Sequence, residues 1–280
     1  MGLINTTVIY PLLTALVLIG SARALWKDQW ATTRLYLVNI GLSFGFLVGY
    51  FSIHQGFSAS HINSVDRLFF AVSIAGLTAF LFHIWITRLR RYLLMPPATF
   101  IILYVLISPL LFRLQLAEAV GFILGTLLIW TASGMVWTKI SHSHISNTSY
   151  VVAALGSAII ISLDGSLLIG QMAGALTAAA GGWWLLNQTQ KRHEPLGKAN
   201  MVFLQLLLGA ILTLAYFYAE VNLIALLLIA FIPFLYPVCQ RAIAISGTTA
   251  PLLQSIVTGM ISSIPVLMAL WLVWPEQSLY

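Results

Sequence analysis

The sequence predicts an all-α, polytopic membrane protein of about ten transmembrane helices, and three observations predict it. Of 280 residues, 60% are apolar and only 7% are charged, against about 25% charged in an ordinary soluble domain. A soluble fold of this length would lack the polar side chains to cover its surface, whereas a surface that faces lipid has no such need. Second, apolar runs of about 20 residues, the length that crosses the hydrocarbon core as a helix, recur from end to end. Third, the basic residues sit in short gaps between those runs and form no stripe on a soluble face. That pattern suits membrane orientation and excludes nucleic acid as a partner.

Each run is bounded by charge or by turn residues. Thr6 to Ala24 comes first; no basic residue precedes it, and Arg23 and Lys27 close it. This is the reverse of a cleavable signal peptide, so the segment is expected to stay as an anchor with its N-terminus outside. Leu35 to Ile53 carries Gly41, Gly45 and Gly49 at four-residue spacing, a face that lets helix backbones approach closely in lipid. Leu68 to Thr87 follows Asp66 and Arg67. Tyr92 to Phe112 begins after Arg88, Arg90 and Arg91 and holds Pro96, Pro97 and Pro109, which should bend it. Ala117 to Trp137 contains a further small pair, Gly121 and Gly125.

The stretch 147–187 has no Lys or Arg and a single charge, Asp164. As one helix it would run about 60 Å, twice what the bilayer needs. A fold-back at Asp164-Gly165-Ser166 divides it into Thr148 to Leu163 and Ser166 to Asn187, because Asp and Gly favour turns and Asp is costly in lipid. Ala199 to Ala219, Val221 to Gln240 with Pro233 and Pro237, and Pro251 to Trp274 complete the set.

Charge gives an independent check on the count, since one helix more or less moves every later loop across the membrane. With ten passes, one side collects Arg23, Lys27, Arg34, Arg88, Arg90, Arg91, Lys139, Lys191, Arg192, Lys198 and Arg241, and the other receives only Arg67 and Arg113. Treating 147–187 as one pass would divide the 13 basic residues almost evenly. The expected location is therefore the cell (inner) membrane, with basic loops in the cytoplasm and both termini outside.

No linker separates soluble domains, so residues 1–280 are expected to form a single membrane domain. Division at the loop Lys139 to Asn147 gives halves 1–140 and 141–280 of five helices each, and the odd number inverts the second relative to the first, as in many secondary transporters. The second helices of the two halves match in small residues, Gly41, Gly45 and Gly49 against Gly170, Gly174, Ala178 and Gly182; the fourth helices match in prolines. Gly and Pro are frequent in any membrane helix, so the expectation concerns architecture and not sequence identity.

No ionisable residue falls at mid-membrane depth; Glu118, Asp164 and Glu220 all sit at segment ends. This argues against a buried carboxylate relay and turns attention to amides and hydroxyls. In the last helix Gln254, Thr258 and Ser262 repeat every four residues beside Ser255, Gly259 and Ser263, one small polar face ending at Pro265. The same spacing also serves helix packing, with hydroxyls bonding their own carbonyls. Gln171 and Gln205 are single amides in apolar helices and need partners, the choices being each other, Gln254 or Asn39. The candidate substrate-binding residues are thus Gln171, Gln205, Gln254, Thr258 and Ser262.

Catalytic, metal and cofactor sites are not expected. The six histidines form no ligand set, and Cys239, the one cysteine, excludes an internal disulfide or a CxxC site. HExxH, Asp-rich diphosphate motifs and a Gly-Lys-Thr phosphate loop are missing. The expected function is a transporter or permease-like protein whose halves rock around a central path, moving a small neutral, weakly polar or lipid-like substrate. Its partners would be the bilayer and that substrate. The alternatives are a non-catalytic subunit or assembly factor that holds a membrane-protein partner through its small-residue faces, and a membrane enzyme acting on lipid or isoprenoid.

Overall fold

The computed structural model describes residues 2–25, 31–54, 63–84, 93–111, 116–188, 196–247 and 250–274. Expectations resting on Trp26, Lys27, Asp28, Trp30, His61, Arg88, Arg90, Arg91, Arg113, Lys191, Arg192, His193, Glu194 and Glu276, or on the side chains of Arg23, Arg34 and Glu118, lie outside the described residues. The described chain is helical and contains no strand. A π-helical turn, Asn5–Ile9, leads into α1 (Tyr10–Leu25), followed by α2 (Ala31–His54), α3 (Asp66–Ile84), α4 (Met95–Leu111), α5 (Leu116–Ile140), α6 (His144–Asp164), α7 (Leu167–Gln188) and α8 (Lys198–Ala219). The ninth pass is α9 (Leu223–Phe231), a 3-10 turn (Ile232–Leu235) and α10 (Tyr236–Ser246); α11 (Pro251–Val273) is last. Eight of these stretches are long and apolar enough to cross a membrane. The apolar α4 is shorter at 17 residues, and the 22-residue α7 is diluted by Gly and Ala. The chain is an all-α polytopic membrane protein.

Hydrogen bonds between helices show how the passes alternate. At one end, Asp66 at the start of α3 meets His54 at the end of α2. There too Arg67 Nη1 donates to Val105 O at 2.7 Å and Ser108 Oγ at 2.6 Å near the end of α4. Tyr218, closing α8, donates to Leu106 O at 2.8 Å. At the opposite end Trp184 Nε1 donates to Thr148 Oγ1 at 3.0 Å, and Gln188 Nε2 to Ser255 Oγ at 2.7 Å. Every pair joins residues that an up-and-down path of ten passes puts at the same end.

The fold-back at 164–166 is the hinge of that path. α6 stops at Asp164 and α7 starts at Leu167. Gly165 is required by close approach: a Cβ there would stand 2.6 Å from Val221 Cγ2 and 2.8 Å from Ala219 O. Asp164 Oδ2 accepts from Asn222 N at 2.7 Å, tying this turn to the one between α8 and α9. In the latter, Glu220 takes the left-handed conformation (φ 54°) that ends α8, and Asn222 caps α9 by accepting from Ile224 N and Ala225 N.

The centre of the molecule is α8. Every residue from Asn200 to Ala215 is buried, as expected of a helix that is apolar on all faces. It packs on α2, α3, α4, α5 and α7. This helix fills the centre of the described chain, so the cavities lie beside it or, for the one between α6, α7 and α11, away from it.

Small residues act where close approach needs them. A Cβ at Gly49 would stand 2.6 Å from Ala175 Cβ on α7 and 2.7 Å from Pro11 Cγ on α1; one at Gly45 would meet Pro11 O at 3.0 Å. The Gly face of α2 is thus clasped between α1 and α7. Prolines behave differently in the two expected bent helices. Pro96 and Pro97 fall in the first turn of α4, where a missing N–H costs little, and Pro109 near its last turn, so α4 is one continuous helix. Pro233 lies within the 3-10 turn that breaks the ninth pass, and Pro237 lies in the first turn of α10 that follows it.

Candidate functional site

The polar groups of α6, α7 and α11 converge near the Ser255 end. There a cavity of about 290 Å³ is lined by Thr148, Val151 and Val152 of α6, Trp184 of α7, and Leu252, Ser255, Ile256 and Gly259 of α11. Leu252 and Ile256 form an exposed rim, so the cavity opens toward the lipid-facing surface. Its polar lining is already oriented: the Trp184 indole holds the Thr148 hydroxyl, and Gln188 holds that of Ser255. Both hydroxyls are nearly covered, and the surface the cavity presents is almost wholly apolar. Above the cavity the α6–α11 seam closes. Ser149 Oγ and Ser262 Oγ are 2.8 Å apart, and Val266 packs so tightly on Gly156 that a Cβ there would stand 2.7 Å away.

Of the five residues singled out in the sequence, three lie in this region but behind its wall. Thr258 is fully buried and donates to Gln254 O at 2.7 Å, a bond to its own helix. Ser262 is fully buried in the seam with Ser149. Gln254 is half-buried on the same helix. The cavity wall is made by the adjacent row, Ser255 and Gly259, with Thr148 opposite. Gln171 lies half-buried near the start of α7, close to the Asp66 end and apart from this region.

Gln205 belongs to a different place. Its Nε2 donates to Ser133 Oγ of α5 at 3.3 Å, so the expected amide partner is a hydroxyl instead. With Thr99, Trp130 and Gly209 it lines a small cavity of about 10 Å³ beside the central helix. Gln205 Oε1 and Thr99 Oγ1 have no partner there.

A third cluster escaped sequence reasoning. Asp66 is fully buried; its Oδ1 lies 2.6 Å from His54 Nε2 and accepts from Tyr50 OH at 3.4 Å, while Oδ2 accepts from Asn63 N at 2.8 Å. Read alone, an Asp and a His beside a short connection look like solvated loop groups. The signal was Tyr50 and His54, one helical turn apart and facing the start of the next helix. Among the described residues, no three His, Cys, Asp or Glu side chains come together. No protein-family model matches the chain, and no curated protein matches it either.

Proposed function

We propose that the protein is a multi-pass transporter or permease-like protein of the cell membrane, with both termini outside the cytoplasm, that moves a small neutral, weakly polar or lipid-like substrate. The observation that carries this reading is the uncharged cavity between α6, α7 and α11. Its surface is almost wholly apolar, with Thr148 and Ser255 among its lining residues and, among the described residues, no charged side chain lining it, which suits a neutral, weakly polar or lipid-like solute. Thr148, Ser255 and Gly259 contact the substrate in this reading, and Gln254, Thr258 and Ser262 hold the wall from behind. Passage requires the α6–α11 seam to part at Ser149 and Ser262.

One feature supports a moving architecture: discontinuous helices build substrate sites in many transporters, and the 3-10 turn of the ninth pass packs against α5, α6 and α11. The test uses osmotic swelling of liposomes with a panel of small neutral solutes. Gly259→Leu projects into the cavity without striking backbone, because a Cβ there meets only Thr148 Cγ2, at 3.9 Å. The variant should fold normally and lower the swelling rate to that of protein-free vesicles. Native protein that never exceeds protein-free vesicles, or a variant as active as native, refutes the reading.

A further inference from the structure

A second site stands apart from the α6–α11 cavity. Between α5, α8 and α9 lies a cleft of about 150 Å³ lined mainly by apolar and aromatic side chains, among them Phe122, Trp130, Tyr216, Phe217 and Leu227. Phe122 and Leu227 are exposed at its edge, so hydrocarbon and not water meets it. A dry apolar cavity of about this volume accepts a hydrocarbon the size of benzene, whereas a helix about 10 Å across is too wide to enter. Gly121 and Gly125 keep the cleft open: a Cβ at either would meet nothing within 4 Å, so this small pair is not consumed by packing inside the chain.

Trp130 also borders the small cavity that holds Thr99 and Gln205. Its indole lies against Gly209, where a Cβ would stand 3.2 Å from the ring, and it separates the two spaces. The inner space has room for about one water-sized group. Gln205 Oε1 and Thr99 Oγ1, on side chains 2% and 4% exposed, face it without a partner. An unpaired acceptor in such a place is costly, and a single hydroxyl relieves both atoms by donating to Gln205 and accepting from Thr99.

We propose that the two spaces form one amphipathic site for a neutral alcohol on a hydrocarbon chain: the cleft takes the chain, Gln205 and Thr99 take the hydroxyl, and the Trp130 indole swings aside to join them. A phosphate or sugar head is excluded by volume, and among the described residues no charged side chain lines either space to pair with a charged head. Water satisfies the inner atoms equally well but leaves the cleft unfilled.

The experiment uses the full chain in lipid nanodiscs with two photoreactive probes, a diazirine-bearing long-chain primary alcohol and the matching alkane without the hydroxyl. At limiting probe, the alcohol should label α5 and α8 about five- to tenfold more than the alkane, the ratio expected of one or two net hydrogen bonds. Gln205→Leu should bring the two probes level. Gly125→Leu, whose side chain enters open space and so leaves the unfolding midpoint unchanged, should abolish labelling by both. Equal labelling of native protein by alcohol and alkane overturns the proposal, as does full labelling of Gly125→Leu. Efficient cross-linking between copies through Gly121→Cys also overturns it, since the cleft would then belong to a second copy of the chain.

Discussion

Replacing Gly49 by alanine sets two effects of opposite sign against each other. In a helix interior alanine is favoured over glycine by about 1 kcal/mol. Against this, the new methyl would stand 2.6 Å from Ala175 Cβ and 2.7 Å from Pro11 Cγ, more than 1 Å inside ordinary van der Waals contact on two sides. Neither neighbour is the tip of a flexible chain, so relief requires α1 and α7 to move away from α2. Overpacking of this kind costs about 1 to 3 kcal/mol even for one added carbon, and two rigid neighbours argue for the upper part of that range. The net expectation is destabilisation by about 1 to 2 kcal/mol. Gly174→Ala supplies the control, because nothing lies within 4 Å of a Cβ at that position; it should be neutral or stabilising by up to about 1 kcal/mol. Unfolding in mixed micelles by titration with sodium dodecyl sulfate, followed by circular dichroism, reads both. If Gly49→Ala resists the denaturant as well as native protein, or moves in the same direction as Gly174→Ala, the clasp of α2 between α1 and α7 is not as described.

Three further outcomes follow from the same reasoning. Asp66→Ala strands His54, Tyr50 and the Asn63 amide around a fully buried position; because Asn63 and part of His54 reach solvent, the expected loss is about 2 to 4 kcal/mol. Asp66→Asn, which keeps an acceptor, should lose less, and an alanine variant as stable as native would remove the cluster from the account. Gly165→Ala should cost about 1 to 3 kcal/mol, since its methyl is driven against Ala219 O and Val221; unchanged unfolding would contradict the tight turn. In a double-mutant cycle, Ser149→Ala and Ser262→Ala should couple by about 0.6 kcal/mol, with an upper bound near 2, and strict additivity would mean that the seam is not closed by that bond.

How much of this was legible in the sequence depends on whether the cause was local. The fold-back at residue 165 is legible because Asp is costly in lipid, Asp and Gly are good turn formers, and the charge distribution depends on it. The close-packing role of Gly45 and Gly49 could be read for a similar reason, since four-residue spacing defines one face. Boundaries slipped where polar residues are helical: α6 begins at His144, before the expected Thr148, because Ser143 caps it by accepting from Ser146 N. Residue type alone predicts a bend at each proline, but the effect depends on position, harmless at the ends of α4 and disruptive in the ninth pass. Candidate site residues are the least legible, because tertiary contact decides what each one faces. Spacing put Gln254, Thr258 and Ser262 on one face of α11, yet nothing local says that this row faces the seam and its neighbour the cavity. Nor does an isolated Gln205 announce that its partner is Ser133, or an Asp66 beside a loop that it is fully enclosed.

The central claim is the ten-pass alternation, and sidedness of labelling tests it most directly. With Cys239 replaced by alanine, single cysteines at Ser166, Glu220, His142 and Ser246 are exposed to a membrane-impermeant thiol reagent in intact cells and again after permeabilisation. The account predicts that Ser166→Cys and Glu220→Cys react from outside, while His142→Cys and Ser246→Cys react only once the membrane is opened. Labelling of His142→Cys and Ser166→Cys from the same side would contradict it.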